Sequence, residues 1–317
     1  MCAAPTPHPD LLEACRGLPP VPTAVAHPCD PVSLESTVEA ARRGLIRPTI
    51  FAPLAKLRAI AAGAGLELGA IPCVDVPHSH AAAEAAVAAV RRGEAAALMK
   101  GSLHTDEVMA PVVAKEGGLR TGRRISHCYV MEVPGRAEPL IISDGAINIL
   151  PDLAEKVDIV QNAIDLARAL RFPEVRVAIL SCTESVNPKI PGTLEAAALC
   201  KMADRGQIAG ALIDGPLALD NAISPEAAAT KRIVSPVAGR ANVLIVPDLE
   251  AGNMLAKSLS FLAGAEAAGI VLGARVPVIL TSRADSLATH LASCALALLA
   301  AAAREGSPAA AMGASPA

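Results

Sequence analysis

NVLIVPDLEAGNMLAK, Asn242 to Lys257, is a short β-branched run that ends on Asp248 and passes into a helical stretch carrying Gly252, Asn253 and Lys257. One such βα unit says little; its repetition decides the fold. Comparable runs occur at 49–52 (TIFA), 71–76 (IPCVDV), 96–100 (AALMK), 175–180 (VRVAIL), 211–214 (ALID) and 276–280 (VPVIL). Long helical stretches lie between them, at 33–44, 80–93, 153–170 and 193–206, several closed by a glycine suited to a C-cap. Strand runs alternating with helices predict a mostly parallel sheet flanked by helices, an α/β fold.

The chain has 317 residues, more than one hydrophobic core usually holds, so two domains are expected. A composition shift near 120–150, where basic, glycine-rich KEGGLRTGRR gives way to EVPGRAEPLIISDG, marks the boundary. Hydrophobic residues at 52% exclude wholesale disorder. Aromatic residues make up 1% and the net charge is −3, so neither stacking platforms nor a general attraction for a polyanion exists, and nucleic acid is not expected as a partner. Eight cysteines without a C-x-x-C pair read as reduced thiols. No secretory signal opens the sequence, and the apolar segment Leu291 to Ala303 is short and mostly Ala, which reads as a packed helix and not a membrane span. A cytoplasmic protein is expected.

Familiar nucleotide signatures are missing. The glycines at 63, 65 and 69 do not fit G-x-G-x-x-G, and no G-x-x-x-x-G-K-[ST] occurs. His78 and His80 form a lone H-x-H pair beside Ser79, which reads as a helix start, so no metal site is assigned.

Three further strand ends carry chemistry. At 98–127 a strand delivers Lys100, Gly101, His104 and Thr105 into a helix, with Lys115, Arg120, Arg123 and Arg124 following. These cations read either as a solvated face or as a glycine-interleaved loop that a phosphate can approach. ALID delivers Asp214 onto Gly215-Pro216, and VPVIL stops on Thr281, Ser282, Arg283 and Asp285. Asp285 or Ser286 can cap the helix that begins near Leu287; equally, a strand end facing a helix N-terminus is where open α/β sheets hold anions. Recurrence of this device favours a ligand-binding rim.

Residues from about Lys100 to Leu296 resemble the phosphate acetyltransferase and phosphate butyryltransferase family, through LMKG, GLRTG-x-x-x-SH, DGPLALDNA, VAG-x-AN-x-L-x-VPD-x-EAGN and TSRADS in that order. GLRTGRRISH, LALDNAIS and TSRADS look closer to the butyryl branch. The resemblance implies exchange of coenzyme A for phosphate on a short acyl group, butyryl first and acetyl as the other option, by direct displacement in a ternary complex. Acyl-CoA and phosphate are then substrates, and no metal or redox cofactor is needed. It also implies a two-domain, three-layer α/β/α fold like isocitrate and isopropylmalate dehydrogenases. The expected division is 1–125 with 273–317, then 126–272, with the active site in the cleft and a homodimer or higher homo-oligomer.

By the same resemblance Arg283 is expected to bind phosphate and Ser282 to donate to the carbonyl oxygen or leaving sulfur. The acetyl branch has a carboxylate seven residues past that serine as the thiol base; here the position is Thr289, which leaves Asp285 or Asp214 as candidates. Lys100, Thr105, Arg120, Ser181, Asn253 and Lys257 are expected to bind substrate. Cys128, Cys182 and Cys294 read as core or wall thiols. Two alternatives stand beside this reading: a metal- and NAD(P)-dependent decarboxylating dehydrogenase of the same fold, with Asp214 and Asp220 at the ion, and a noncatalytic acyl-CoA-binding module.

Overall fold

The computed structural model describes residues 9–282 and 285–305. The chain begins α1 (Pro9–Ala14), β1 (Val21–Ala26), α2 (Pro31–Arg42), β2 (Ile46–Ala52), α3 (Leu54–Ala64), β3 (Cys73–Asp75), α4 (Ser79–Arg91), β4 (Ala97–Lys100) and α5 (Thr105–Val113). It continues through β5 (Ser126–Glu132), β6 (Leu140–Ser143), α6 (Leu153–Ala169), β7 (Arg176–Leu180), α7 (Pro191–Asp204), β8 (Leu212–Leu217), α8 (Leu219–Ile223), α9 (Pro225–Thr230), β9 (Val243–Ile245) and α10 (Leu249–Ala263). It closes with β10 (Glu266–Leu272), β11 (Val278–Ile279) and α11 (Leu287–Glu305). Two compact units result, Met1–Arg123 with Ala268–Ala317, and Arg124–Ala267.

In the first unit the strands run β3-β2-β1-β4-β11-β10. All neighbours are parallel except β10 and β11, which only residues 273–277 connect, too few for a crossover and enough for an antiparallel return. β4 is buried along its whole length and β1 nearly so, as strands with helices on both faces must be. Asp30 starts α2 by accepting the Ser33 amide at 2.9 Å, with Pro31 in the first turn. His78, and not Ser79, caps α4 by accepting the Ala81 amide at 3.2 Å, and His80 lies 3.2 Å from Glu107, so this pair is consumed by local structure.

The second unit orders its strands β5-β6-β9-β7-β8. β5 and β6 form an antiparallel hairpin and the rest are parallel. Leu140, Ile142, Leu217, Leu244 and Val246 build a core there. A capping box starts α6: Asp152 accepts the Glu155 amide at 2.9 Å and Glu155 accepts the Asp152 amide at 3.1 Å.

α11 extends beyond the apolar run, and its Leu287–Arg304 stretch is long and apolar enough to cross a membrane by length and composition. It is 67% buried within the protein, with contacts to α1, α2 and β11, as a core helix is.

Candidate active site

Parallel register sets the carboxyl ends of β1, β4 and β11 side by side: Ala26 pairs with Lys100, and Met99 with Ile279. Each strand then leaves the sheet on polar residues, the arrangement in which an open α/β sheet presents a ligand-binding edge.

Lys100 is buried at 4% exposure, and its Nζ donates to the carbonyls of Gly101 and Leu103, both at 3.3 Å. Gly101 is required here, because a Cβ would lie 2.5 Å from the His27 carbonyl oxygen. That close approach lets the Ser102 hydroxyl donate to the His27 carbonyl at 3.0 Å and accept the Cys29 amide at 3.1 Å. His27 holds a left-handed backbone with φ +52°, and its imidazole is held below the ordinary histidine range, first by burial and then by Lys56. Thr105, the first residue of α5, is exposed close behind Lys100.

After β11 the chain turns sharply. Asp285 Oδ2 accepts the Ser282 amide at 2.7 Å, and the Asp285 amide returns to the Ser282 carbonyl at 3.2 Å. Ser286 caps α11 by accepting the Thr289 amide at 3.1 Å, so the two capping candidates divide the work: Asp285 closes the turn and Ser286 starts the helix. Ser282 is exposed at this bend. Arg283 lies outside the described residues.

His290 sits one turn into α11, buried at 3% exposure. Its Nδ1 is 3.2 Å from the Thr281 hydroxyl and 3.3 Å from the Ser36 hydroxyl, while Nε2 is buried with no hydrogen-bond partner. Burial depresses its basicity and Lys100 adds to this, whereas Asp285, Asp30 and the Ser282 main chain oppose the shift. Nothing in the sequence singled out this residue, which is embedded in a run of Ala and Leu.

In the second unit β7 and β8 also end level. Ser181 donates its amide to the Leu217 carbonyl at 2.9 Å. Asp214 is half-buried and accepts the Gly215 amide at 2.8 Å. Asp220 is 3.3 Å from Lys231, whose Nζ is also 3.2 Å from Glu184. These carboxylates are tied to a cation, and among the described residues no group of three His, Cys, Asp or Glu could hold a metal ion. Asn253, on α10, donates Nδ2 to the Gly145 carbonyl at 3.2 Å, and Lys257 is exposed one turn further on. Arg120, in the first unit, is exposed with its backbone bridged to Ala274.

Sequence reasoning also passed over Asp144, which lay within a stretch read as a turn. Its carboxylate is buried and accepts the amides of Ala146 (2.8 Å), Ile147 (3.0 Å) and Asn148 (3.2 Å) together with Asn148 Nδ2 at 2.6 Å. Burial raises its pKa and these donors oppose the rise. Cys128 and Cys294 are core thiols pushed up to about 12 by burial, and Cys182 is exposed.

The family model described as "Phosphate acetyl/butaryl transferase" matches residues 78–298. A phosphate acetyltransferase from Rhizobium meliloti is 61% identical over 310 residues, 98% of each chain. A phosphate butyryltransferase from Clostridium acetobutylicum is 40% identical, covering 87% of this chain and 92% of that one. The similarity therefore runs through the N-terminal part, where the motifs were sparse. A branched-chain phosphotransacylase from Enterococcus faecalis V583 superposes with a TM-score of 0.78 at 30% identity, over 89% of this chain and 99% of that one. A 4-hydroxythreonine-4-phosphate dehydrogenase from Klebsiella pneumoniae, at 13% identity and a TM-score of 0.55 over 89% of this chain and 99% of that one, shares the fold alone.

Proposed function

We propose a substrate and a division of labour for this chain, which belongs to the phosphate acetyl/butyryl transferase family and is a phosphate acyltransferase. Its preferred acyl group is acetyl, ahead of butyryl. The motifs leaned toward the butyryl branch, but identity is 61% to an acetyltransferase over 98% of the chain against 40% to a butyryltransferase over 87% of it.

The reaction exchanges phosphate and coenzyme A at one acyl carbonyl. Phosphate and thiolate are both anionic, so cations must offset charge and donors must meet the oxyanion. Arg283 takes two phosphate oxygens with its guanidinium fork. The Ser282 hydroxyl donates to the carbonyl oxygen or to the departing sulfur. Asp285, held beside Ser282 by the 2.7 Å amide bond, accepts the thiol proton in the place of the carboxylate that Thr289 lacks; Asp214 is the other candidate. Lys100, Thr105, Arg120, Ser181, Asn253 and Lys257 are the substrate-binding residues in this reading. Attack is direct, without a protein nucleophile and without a metal or redox cofactor.

The observation that carries this reading is the alignment of β1, β4 and β11 at their carboxyl ends, with a buried lysine beside the Ser282 turn. Seven unpaired cysteines among the described residues support a reducing, cytoplasmic setting. Exposed Met254, Phe261 and Leu262 on α10, with Ile149 and Leu150 nearby in the second unit, support a homodimer or larger homo-oligomer.

Release of free thiol from acetyl-, propionyl-, butyryl- and hexanoyl-CoA in the presence of phosphate tests the proposal. Acetyl-CoA is expected to show the highest kcat/KM. A higher value for butyryl-CoA would reverse the substrate order, and no phosphate-dependent release from any of them would remove the reading.

A further inference from the structure

His290 has an arrangement that packing alone does not require. The Ser36 hydroxyl has one proton, and two backbone carbonyls of its own helix compete for it, Val32 at 2.8 Å and Ser33 at 3.1 Å. Toward His290 it therefore offers a lone pair, which suits a hydrogen on Nδ1. The same Nδ1 lies 3.2 Å from the hydroxyl of Thr281, whose next neighbour in the chain is Ser282. This tautomer leaves Nε2 as a bare acceptor, less unfavourable when buried without a partner than a stranded N–H would be.

We propose that His290 is a positioning residue for the acyl-transfer turn, its Nδ1–H holding Thr281 and through it the bend that presents Ser282. The inference rests on the role given to that turn above. Three elements meet at one imidazole: α2 through Ser36, the end of β11 through Thr281, and α11 on which the ring is mounted. The charged groups whose fields reach the ring are Asp285, Lys100 and Asp30. Of these, Asp285 is the second tether of the same turn, through the Ser282 amide. The turn is thus braced from both sides, by His290 through Thr281 and by Asp285 through the Ser282 amide.

The test compares His290→Leu, His290→Asn and Thr281→Val with the wild type in the acetyl-CoA and phosphate assay, with circular dichroism confirming the fold. Misplacing a reacting group by about an ångström can lower turnover roughly 100-fold, so His290→Leu is expected to reduce kcat by at least about tenfold while the KM for acetyl-CoA changes by less than about threefold. His290→Asn, whose amide N–H stands where Nδ1–H stood, recovers most of that loss. Thr281→Val reproduces the loss, and the double variant Thr281→Val with His290→Leu is no worse than either single change, as coupled partners require. Wild-type kcat in folded His290→Leu, an Asn variant no better than Leu, or additive losses would overturn the inference. If His290→Leu fails to fold, wild-type kcat in Thr281→Val overturns it equally. An inactive wild type would instead overturn the functional reading beneath it.

Discussion

Ser282 gives its amide hydrogen to the Asp285 carboxylate at 2.7 Å, so the residue assigned to the reacting carbonyl and the residue assigned to the thiol proton are fixed to one another by a single turn. Asparagine in place of Asp285 keeps an oxygen for that amide but no longer accepts a proton. General acid–base catalysis is worth roughly 100- to 10,000-fold, so Asp285→Asn is expected to lower kcat by about 100-fold with little change in melting temperature. Wild-type turnover in this variant would restrict Asp285 to closing the turn.

Arg283→Lys keeps a positive charge but loses the planar fork that matches two phosphate oxygens. Initial-rate kinetics should show the phosphate KM raised by at least about tenfold, in keeping with roughly 1.4 kcal/mol per decade, and the acetyl-CoA KM nearly unchanged. An unchanged phosphate KM would take Arg283 out of the phosphate site.

Gly252 and Gly145 approach so closely that a Cβ on Gly252 would stand 2.6 Å from the Asp144 carbonyl oxygen and 3.0 Å from the Gly145 Cα. Backbone atoms cannot step aside as a flexible side chain can, so Gly252→Ala should destabilise by about 1–3 kcal/mol. Gly63→Ala, in α3 with open space around the added methyl, is the matched control and should stabilise by up to about 1 kcal/mol. Denaturant melts of the two variants check the opposite signs.

His127 is fully buried against Tyr129, ring centroids 4.3 Å apart, and burial pushes its pKa down to about 3. An unfolded histidine near 6.5 binds a proton that the folded one refuses, so between about pH 6.5 and pH 3 the unfolded state holds more protons. Stability is therefore greatest above that window and falls as the pH is lowered through it, by up to about 1.4 kcal/mol per pH unit from this group. Replacing His127 with Gln should flatten the dependence of melting temperature on pH in that range, and an equally steep profile would show that another group sets it.

The alternation of strands and helices was legible because β2, β4, β7, β8, β9 and β11 are carried by β-branched or aliphatic runs next to long helical stretches. β1 (VPTAVA) and β10 (EAAGIVL) are as buried as their neighbours but are built partly from Ala, Pro and Gly, whose strand preference is weak, so tertiary burial and not local propensity places them. Ser282, Asp285 and Lys100 stood out as candidates because each lies at or just after the end of a readable strand. Ser36 and His290 could not: they come together only when α2 and α11 pack, and no local spacing records a contact made across more than 250 residues of chain. Likewise Asp144 read as a loop residue, since its four donors are visible only once the backbone from 146 to 148 has curled around it.

The place of β11 beside β4 has a further consequence, for biosynthesis. Leu98 and Met99 emerge from the ribosome long before Val278 and Ile279, the residues that cover their open edge. Until those arrive, a nascent chain holds a largely apolar strand edge with nothing alongside it, the condition under which unfinished sheets self-associate. The second unit has its own strands in one uninterrupted stretch and is able to close first. Vectorial synthesis should therefore finish the later-encoded unit before the earlier one, with the last helix acting as the latch.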